Sequence, residues 1–430
     1  MANYHMIGIK GSGMSALAQI LFDLNHNVQG EDIESYLFTQ AALESRNIPL
    51  YTFGSAPLAR DMTVIVSNAF DENHASIRKC KELGIPVYRY HYFLGEFIKS
   101  YNSIAVTGSH GKTTTTGMIV HTLNTENQLC SLIGDGTGFG HPDSNLFVFE
   151  SCEYKRHFLA YKPDIAVITN IDYDHPDYFS DIDDVRHAFQ EMAFLASKHI
   201  VACGDDEQVR LLNTNTETLY YGFDMQNELR ACNLTNESQQ TSFDVYYKET
   251  LLDRFHIPAF GRHNVLNALA TIGVALVLDT DLRVVKTRLA AFSGVKRRFT
   301  EKLWGTNVFI DDYAHHPSEI KATLEAAKSK YPDKKIVAIF QPHTFSRLEK
   351  LLDDFAMSLK GADEVFLCPI FGSAREHAGN ISIGDLKDRI PHAELISDNA
   401  MADLSAYSDT ILVFMGAGDI QKYQKQLLQS

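Results

Sequence analysis

The sequence predicts an α/β protein of three domains. They are a Rossmann-like N-terminal domain over 1–100, a central P-loop-type domain over 101–296 and a C-terminal Rossmann-like α/β domain over 297–430. Three observations predict this. At 430 residues the chain has material for about three domains of ordinary size. Short apolar runs alternate with segments of helical period along its whole length. Two strand-to-helix junctions are glycine-rich, at Gly11–Gly13 and at Gly108–Gly111, as phosphate-binding turns require.

Composition narrows the possibilities. Hydrophobic residues make up 45% and charged residues 22%, an ordinary globular balance. The net charge is −15 with no long basic run, which argues against a nucleic-acid partner. No apolar run is long enough to span a bilayer, so no membrane insertion is expected. The start, MANYHMIGIKGSG, enters a strand and turn without a signal-peptide layout. The six cysteines are scattered with no C-x-x-C pair and read as reduced core thiols, so a cytoplasmic location is expected.

Residues 4–9 read as the first strand, and Met14, Leu17, Ala18, Leu21 and Phe22 give the next helix its apolar positions. Glu31 and Asp32 follow the first glycine by about twenty residues, where a dinucleotide fold places its ribose acid. Gly11, Ser12, Gly13, Met14 and Asp32 are therefore candidate ligand contacts. NAD and a UDP-sugar are not separable here, since both present a pyrophosphate and a ribose. Val64–Val66 and Ile85–Tyr88 read as further strands of this domain.

The central domain is organised around SIAVTGSHGKTTTT, residues 103–116. Ile104–Val106 end a buried strand, Gly108 and Gly111 turn the chain, and Lys112–Thr113 open a helix. Backbone N–H groups and the helix N-terminus then face an anion, and the lysine adds positive charge. Gly108, Ser109, His110, Gly111, Lys112, Thr113 and Thr114 form this cradle, with the Thr113 hydroxyl placed for a Mg²⁺ that accompanies phosphates. The spacing departs from the full P-loop, whose first glycine would fall at Val106. Leu146–Phe149 ends in Glu150, and Asp164–Thr169 runs into Asn170-Ile-Asp172-Tyr-Asp174-His175. Both acidic strand ends lie at the carboxyl edge, beside the cradle. Val185, Ala188, Phe189, Met192, Ala193 and Ala196 mark an amphipathic helix. From Thr218 to Ile257 short alternating runs suggest an antiparallel patch on the parallel sheet. A helix opens at Gly261-Arg-His-Asn264-Val-Leu-Asn267.

The third segment begins near Val295. Val308–Ile310 is a strand, Pro317 suits a first helical position, and the helix runs to Lys330. Lys335–Phe340, Asp363–Leu367 and Thr410–Phe414 are further strands. Polar clusters again follow the strand ends, at Asp311–His316, Gln341–Arg347 and Gly416–Asp419.

With these motifs in place, the chain resembles the Mur ligase family over nearly its whole length. The carriers are GIKGSGMSALA, VTGSHGKTTTTG, NIDYDHPDYF, GRHNVLNALA, GVKRRF, DDYAHHP, FQPHTFSR and FMGAGDIQK. The resemblance implies a UDP-binding first domain, a central ATPase domain and a Rossmann-like third domain. It implies ATP and Mg²⁺ as cofactors, and UDP-N-acetylmuramate and L-alanine as substrates joined by an amide bond. By the same resemblance, Lys112 contacts the β/γ-phosphates and Thr113 the first Mg²⁺. Glu150 and His175 match holders of a second Mg²⁺, and Glu153 is an alternative because Glu150-Ser-Cys-Glu153 departs from the common Glu-Ala-Asp-Glu. Asn264 and Asn267 match adenine-side contacts. Arg298 matches an ATP-phosphate contact, with Arg297 adjacent, and Asp311 a ribose contact. Tyr313, His315, His343 and Arg347 match positions near the sugar carboxylate and the incoming amino acid. Thr344 stands where many relatives have Arg, which removes one cation from the amino-acid end. A monomer or weak homodimer is expected.

The implied chemistry suits these residues. A carboxylate does not condense with an amine in neutral water, because its leaving group is oxide. Phosphorylation converts that oxide to phosphate. Metal ions, Lys112 and Arg298 would screen the repulsion between the lactyl carboxylate and the γ-phosphate. His315, His343 or the substrate phosphate could accept the amine proton. Two other readings compete. A recycling ligase would attach a preformed tripeptide to the same sugar nucleotide, and the Gln341–Arg347 pattern argues against it. An NAD-linked oxidoreductase explains the first glycine turn but leaves Gly111-Lys112-Thr113 without a purpose.

Overall fold

The short apolar runs read as strands become strands, and three sheets follow one another along the chain. The computed structural model describes residues 1–429 apart from 125–127, 238–239, 373–375, 377 and 398–403. The first sheet comprises β1 (Asn3–Ile7), β2 (Asn27–Asp32), β3 (Leu50–Thr52), β4 (Met62–Val66) and β5 (Val87–Arg89). All its pairings are parallel, in the order β3-β2-β1-β4-β5. β1 stops two residues short of the expected end because Gly8, at φ +82°, already turns the chain. Helix α1 (Ser12–Asp23) buries Met14, Leu17, Ala18 and Leu21 as expected, but Phe22 is 40% exposed. The helix is covered on both sides by the first sheet and the central domain, and Phe22 lies outside that contact.

The central sheet has ten strands: β6 (Asn102–Thr107), β7 (Cys130–Leu132), β8 (Gly138–Phe139), β9 (Leu146–Glu150), β10 (Ile165–Ile168), β11 (His199–Cys203), β12 (Glu217–Gly222), β13 (Leu229–Glu237), β14 (Gln240–Tyr247) and β15 (Thr250–Ile257). Their order is β15-β14-β13-β12-β11-β10-β6-β9-β7-β8. β6 lies between β10 and β9, so the strand order reverses at its carboxyl end, the crevice where open α/β sheets receive ligands. Helix α2 (Lys112–Leu123) starts there. The antiparallel patch is smaller than expected, because β12 pairs in parallel with both β11 and β13, and only β13–β15 run antiparallel. Alternation marks a half-solvated strand and is silent on direction. At the other edge β8 adds a second antiparallel pair with β7, too short for periodicity to show.

The third sheet joins β16 (Thr300–Trp304), β17 (Asn307–Asp312), β18 (Lys335–Phe340), β19 (Glu364–Leu367), β20 (Ala393–Leu395) and β21 (Thr410–Met415), in the order β16-β17-β21-β18-β19-β20. β16 is an antiparallel edge strand, joined to β17 through Gly305 at φ +58°. It is largely exposed, so no apolar alternation announces it. Helix α5 (Pro317–Lys330) begins at the expected proline, capped by His316, whose side chain accepts from Ser318 N. Between these lie helices α3 (Ile182–Ala193) and α4 (Arg262–Val277). Among the described residues no helix is long and apolar enough to cross a membrane.

The two domain junctions differ in kind. One apolar core runs through the first and central domains, with Phe97 and Tyr101 against Phe147 at ring separations of 5.8 and 5.5 Å. Backbone approach is equally close: a Cβ on Gly138 would lie 1.9 Å from Ala16 O in α1. The third domain keeps its own cores on the two faces of its sheet and meets the central domain mainly through polar side chains, with Tyr173 of the central domain packed against one of those cores. Gly138→Ala is therefore expected to cost about 1–3 kcal/mol, since backbone must move on one side of the contact. Thermal unfolding of the full chain would read this as a lowered first transition.

Candidate active site

The cradle geometry follows from its glycines. Gly108 has φ +139° and a Cβ there would lie 1.9 Å from Thr169 Oγ1, so only glycine fits. Gly111, at φ +79°, precedes α2 and leaves room beside Asn267 Oδ1. Lys112 folds back over the turn. Its Nζ donates to Gly108 O at 2.5 Å and Ser109 O at 2.9 Å, and stands 3.0 Å from Glu153 Oε2.

The structure divides the expected metal ligands into two groups. Thr113 Oγ1 donates to Glu150 Oε2 at 2.7 Å, and Gly134 N donates to the same oxygen at 3.1 Å. His175 is placed with Glu153 instead, Nε2 lying 3.3 Å from Oε1. Glu153 is 1% exposed. Burial alone would raise its carboxyl, but Lys112 and His175 outweigh that and hold it below the usual carboxylate range. Among the described residues, His175 Nδ1 is buried without a hydrogen-bond partner, and Glu153 Oε2 has the Lys112 ammonium beside it. Hard oxygen donors beside an imidazole fit a divalent cation. Tyr154 supports His175 by ring contact at 4.7 Å and donates its hydroxyl to Asp177 at 2.6 Å.

A cavity of about 830 Å³ opens from the cradle between the central and third domains. His110, Gly111, Thr114, Asn264, Asn267 and Arg298 line it, which brings together residues expected at phosphate and adenine. Asp311 does not line it. Its carboxylate accepts from Gln421 at 2.7 Å, and Asp312 takes the place in the wall. Burial pushes the Asp312 carboxyl up to about 6. Of the adjacent arginines, Arg298 faces the cavity and lies 3.6 Å from Glu319, whereas Arg297 is buried and donates to Gly416 O at 2.8 Å. Tyr313 holds both guanidiniums over its ring, at 5.0 and 5.1 Å.

Glu319 was not singled out from sequence, yet it is a hub. It lies 3.5 Å from His110 Nδ1 and 3.1 Å from His315 Nδ1, and accepts from His315 N at 2.9 Å. His315 and His343 stand with ring centroids 5.8 Å apart. Arg347, expected near the sugar carboxylate and the incoming amino acid, is buried with its Nε 2.8 Å from Asp174 Oδ1. Thr344 has φ +72° and donates its N–H to Phe371 O at 2.9 Å.

The first glycine turn is closed by Asp32. Its Oδ2 accepts from Lys10 N at 2.7 Å and its Oδ1 from Ile33 N at 2.8 Å. Gly11 directly precedes α1, whose first three residues are Ser12, Gly13 and Met14; Met14 is buried, and Gly13 leaves room for the Tyr90 hydroxyl.

Such a site defines a class: an enzyme with a glycine turn shaped for phosphates at a cleft between two domains. Family comparison agrees domain by domain. Residues 3–102 match the Mur ligase family catalytic domain, 106–275 the Mur ligase middle domain, and 297–418 the Mur ligase glutamate ligase domain. The chain belongs to the Mur ligase family, ATP-binding ligases of cell-wall synthesis. Membership replaces the oxidoreductase reading of the first glycine turn. Among solved structures, the chain is similar to UDP-N-acetylmuramate-alanine ligase MurC from Thermotoga maritima, with a TM-score of 0.84 at 26% identity over 100% of this chain and 99% of that one. The murein peptide ligase mpl from Psychrobacter arcticus gives 0.72 at 24% identity, over 100% and 98%. MurF from Thermotoga maritima, in complex with ADP, shares the fold at 0.63 and 16% identity, over 94% and 95%.

His110 generates a prediction. Burial pushes its imidazole down, but Asp172 and Glu319 on either side lift it to about 10, from 6.5 unfolded. A value raised on folding stabilises fully below 6.5 and loses that contribution as pH climbs to about 10. The stability gap between the wild type and His110→Gln should therefore narrow over this window, as read by thermal midpoints of both proteins.

Proposed function

We propose that this protein joins L-alanine to the lactyl carboxylate of UDP-N-acetylmuramate, converting ATP to ADP and phosphate. The observation that carries the reading is the Lys112–Glu153–His175 cluster beside Thr113–Glu150 at the carboxyl end of β6, on the same glycine turn whose His110, Gly111 and Thr114 line the cavity. The similarity to an alanine-adding ligase over the full chain supports the choice of acceptor.

A lactyl oxygen attacks the γ-phosphorus, the bond to the β-phosphate oxygen breaks, and ADP departs, leaving an acyl phosphate. Lys112 and Arg298 offset the gathering negative charge. Thr113 with Glu150, and His175 with Glu153, would hold Mg²⁺, which when bound screens the phosphate oxygens. The amine of L-alanine then attacks the acyl carbon, phosphate leaves, and one amine proton must be accepted. His315 suits that step better than His343. Glu319 and Tyr313 O engage its Nδ1, which leaves Nε2 as the acceptor.

Phosphate release with UDP-N-acetylmuramate should depend on L-alanine, and exceed that with a peptidoglycan tripeptide. Equal or better turnover with the tripeptide would reassign the chain as a recycling ligase. Lys112→Ala should lower kcat about 10²-fold or more. His315→Gln should slow amide formation by about 10²-fold while hydroxylamine still traps the acyl phosphate as a hydroxamate.

A further inference from the structure

Two imidazoles and a carboxylate meet where the cradle, the loop after β10 and the third domain converge. His110 comes from the glycine turn, Asp172 from the loop, and His316 from the cap of α5. His110 Nε2 lies 3.0 Å from Asp172 Oδ2, and His316 Nδ1 lies 3.7 Å from the same oxygen. The three atoms all fall within 4.8 Å of one another, and the two ring centroids are 4.6 Å apart. None of these residues belongs to the groups suited to Mg²⁺, Thr113 with Glu150 and His175 with Glu153.

The remaining ring nitrogens are already engaged. His316 Nδ1 accepts from Ser318 N at 3.3 Å, so its proton sits on Nε2, which donates to Tyr173 O at 3.2 Å. A lone pair is left on Nδ1, the nitrogen nearer Asp172. His110 Nδ1 lies 3.5 Å from Glu319 Oε1, which keeps a proton there and frees Nε2 to ligate. Metal-bound histidines give their second N–H to a carboxylate or a backbone carbonyl, and here there is one of each. Asp172 is held as well: Oδ1 accepts from Tyr173 N at 2.8 Å, and Oδ2 from Ser318 Oγ at 2.6 Å. Two imidazoles and one carboxylate suit zinc, nickel or copper, whereas Mg²⁺ prefers oxygen ligands and keeps its waters. His110, Asp172 and Ser318 line the cavity, so a fourth position, filled by water, opens onto it.

Without metal, a proton supplies the positive charge, and His110 stands as an imidazolium between Asp172 and Glu319. A metal ion takes over that charge, and the Nε2 proton leaves to solvent. The contact of His316 Nδ1 with Ser318 N is exchanged for a metal bond.

We propose that His110, Asp172 and His316 form a site for a transition-metal dication of the zinc class that clamps the third domain onto the cradle. The bond from His316 crosses the polar domain junction, so bound metal slows opening and inhibits turnover. Metal binding is independent of the acceptor, whereas the inhibition rests on the ligase reading.

The probe is Co²⁺, added to the full chain with Mg²⁺ in excess. Wild type should develop the visible absorption of four- or five-coordinate Co²⁺, and about one equivalent of Zn²⁺ should abolish it. The band should persist in His175→Asn and vanish in His316→Gln, whose affinity for Zn²⁺ should fall about tenfold or more. No band in wild type, its loss in His175→Asn, or its survival in His316→Gln would each overturn the proposal. Should His316→Gln fail to fold, Asp172→Asn takes its place with the same expectation. For the clamp, Zn²⁺ at saturating Mg²⁺ should slow phosphate release by wild type about tenfold, and His316→Gln should resist. Equal inhibition of both proteins would remove the clamp. If the chain proves to have another substrate, the Co²⁺ band still decides the site. A Zn²⁺-dependent rise in thermal midpoint, present in wild type and absent in His316→Gln, then decides the clamp.

Discussion

The buried ammonium of Lys112 constrains everything around it. Two backbone carbonyls and the Glu153 carboxylate hold it in the turn, and only because they do can a cation wait in the cleft without bulk water. Glu153 in turn is acceptable in the interior because Lys112 and His175 both face it. The cluster is balanced against itself and leaves His175 Nδ1 buried without a partner. An anionic ligand arriving with its cation completes the set of partners. The site is thus prepared for charge by groups whose orientation is already fixed, which is the main source of electrostatic catalysis.

The second constraint is how the domains are joined. The first and central domains share an apolar core, and Gly138 brings backbone against α1, so their relation is set by packing. The third domain is held by side chains: Arg347, His316, Ser318 and Glu319 reach across to Asp174, Tyr173, Asp172 and His110. Polar contacts of this kind can exchange with water at modest cost, whereas a shared core cannot. The third domain is therefore the less firmly joined of the two, and the strand-end loop Asn170–His175 is where it contacts the cradle.

Much of the architecture was legible because it rests on local signals. Pro317 and the buried face of α5, the run Lys335–Phe340, and the helix starting at Lys112 stand where spacing places them. What escaped notice lacked such signals. β16 is exposed on nearly every residue, β8 has two residues, and β12 lies within the stretch read as antiparallel while pairing in parallel. The site shows the same division. The cradle is a contiguous motif and was visible. Glu319 is one acid in the first turn of a helix, indistinguishable in sequence from any helix-dipole partner.

The sequence by itself determined the order of elements, the two glycine turns and the inventory of groups able to handle phosphate. Backbone preference and residue chemistry act over a few positions and need no partner to be read. Tertiary structure alone decided pairings. It set Glu153 rather than Glu150 beside His175, placed Arg298 rather than Arg297 at the cavity, and gave Arg347 to Asp174. Electrostatic partnership depends on distance and burial between residues far apart in the chain, and both exist only once the three sheets have packed.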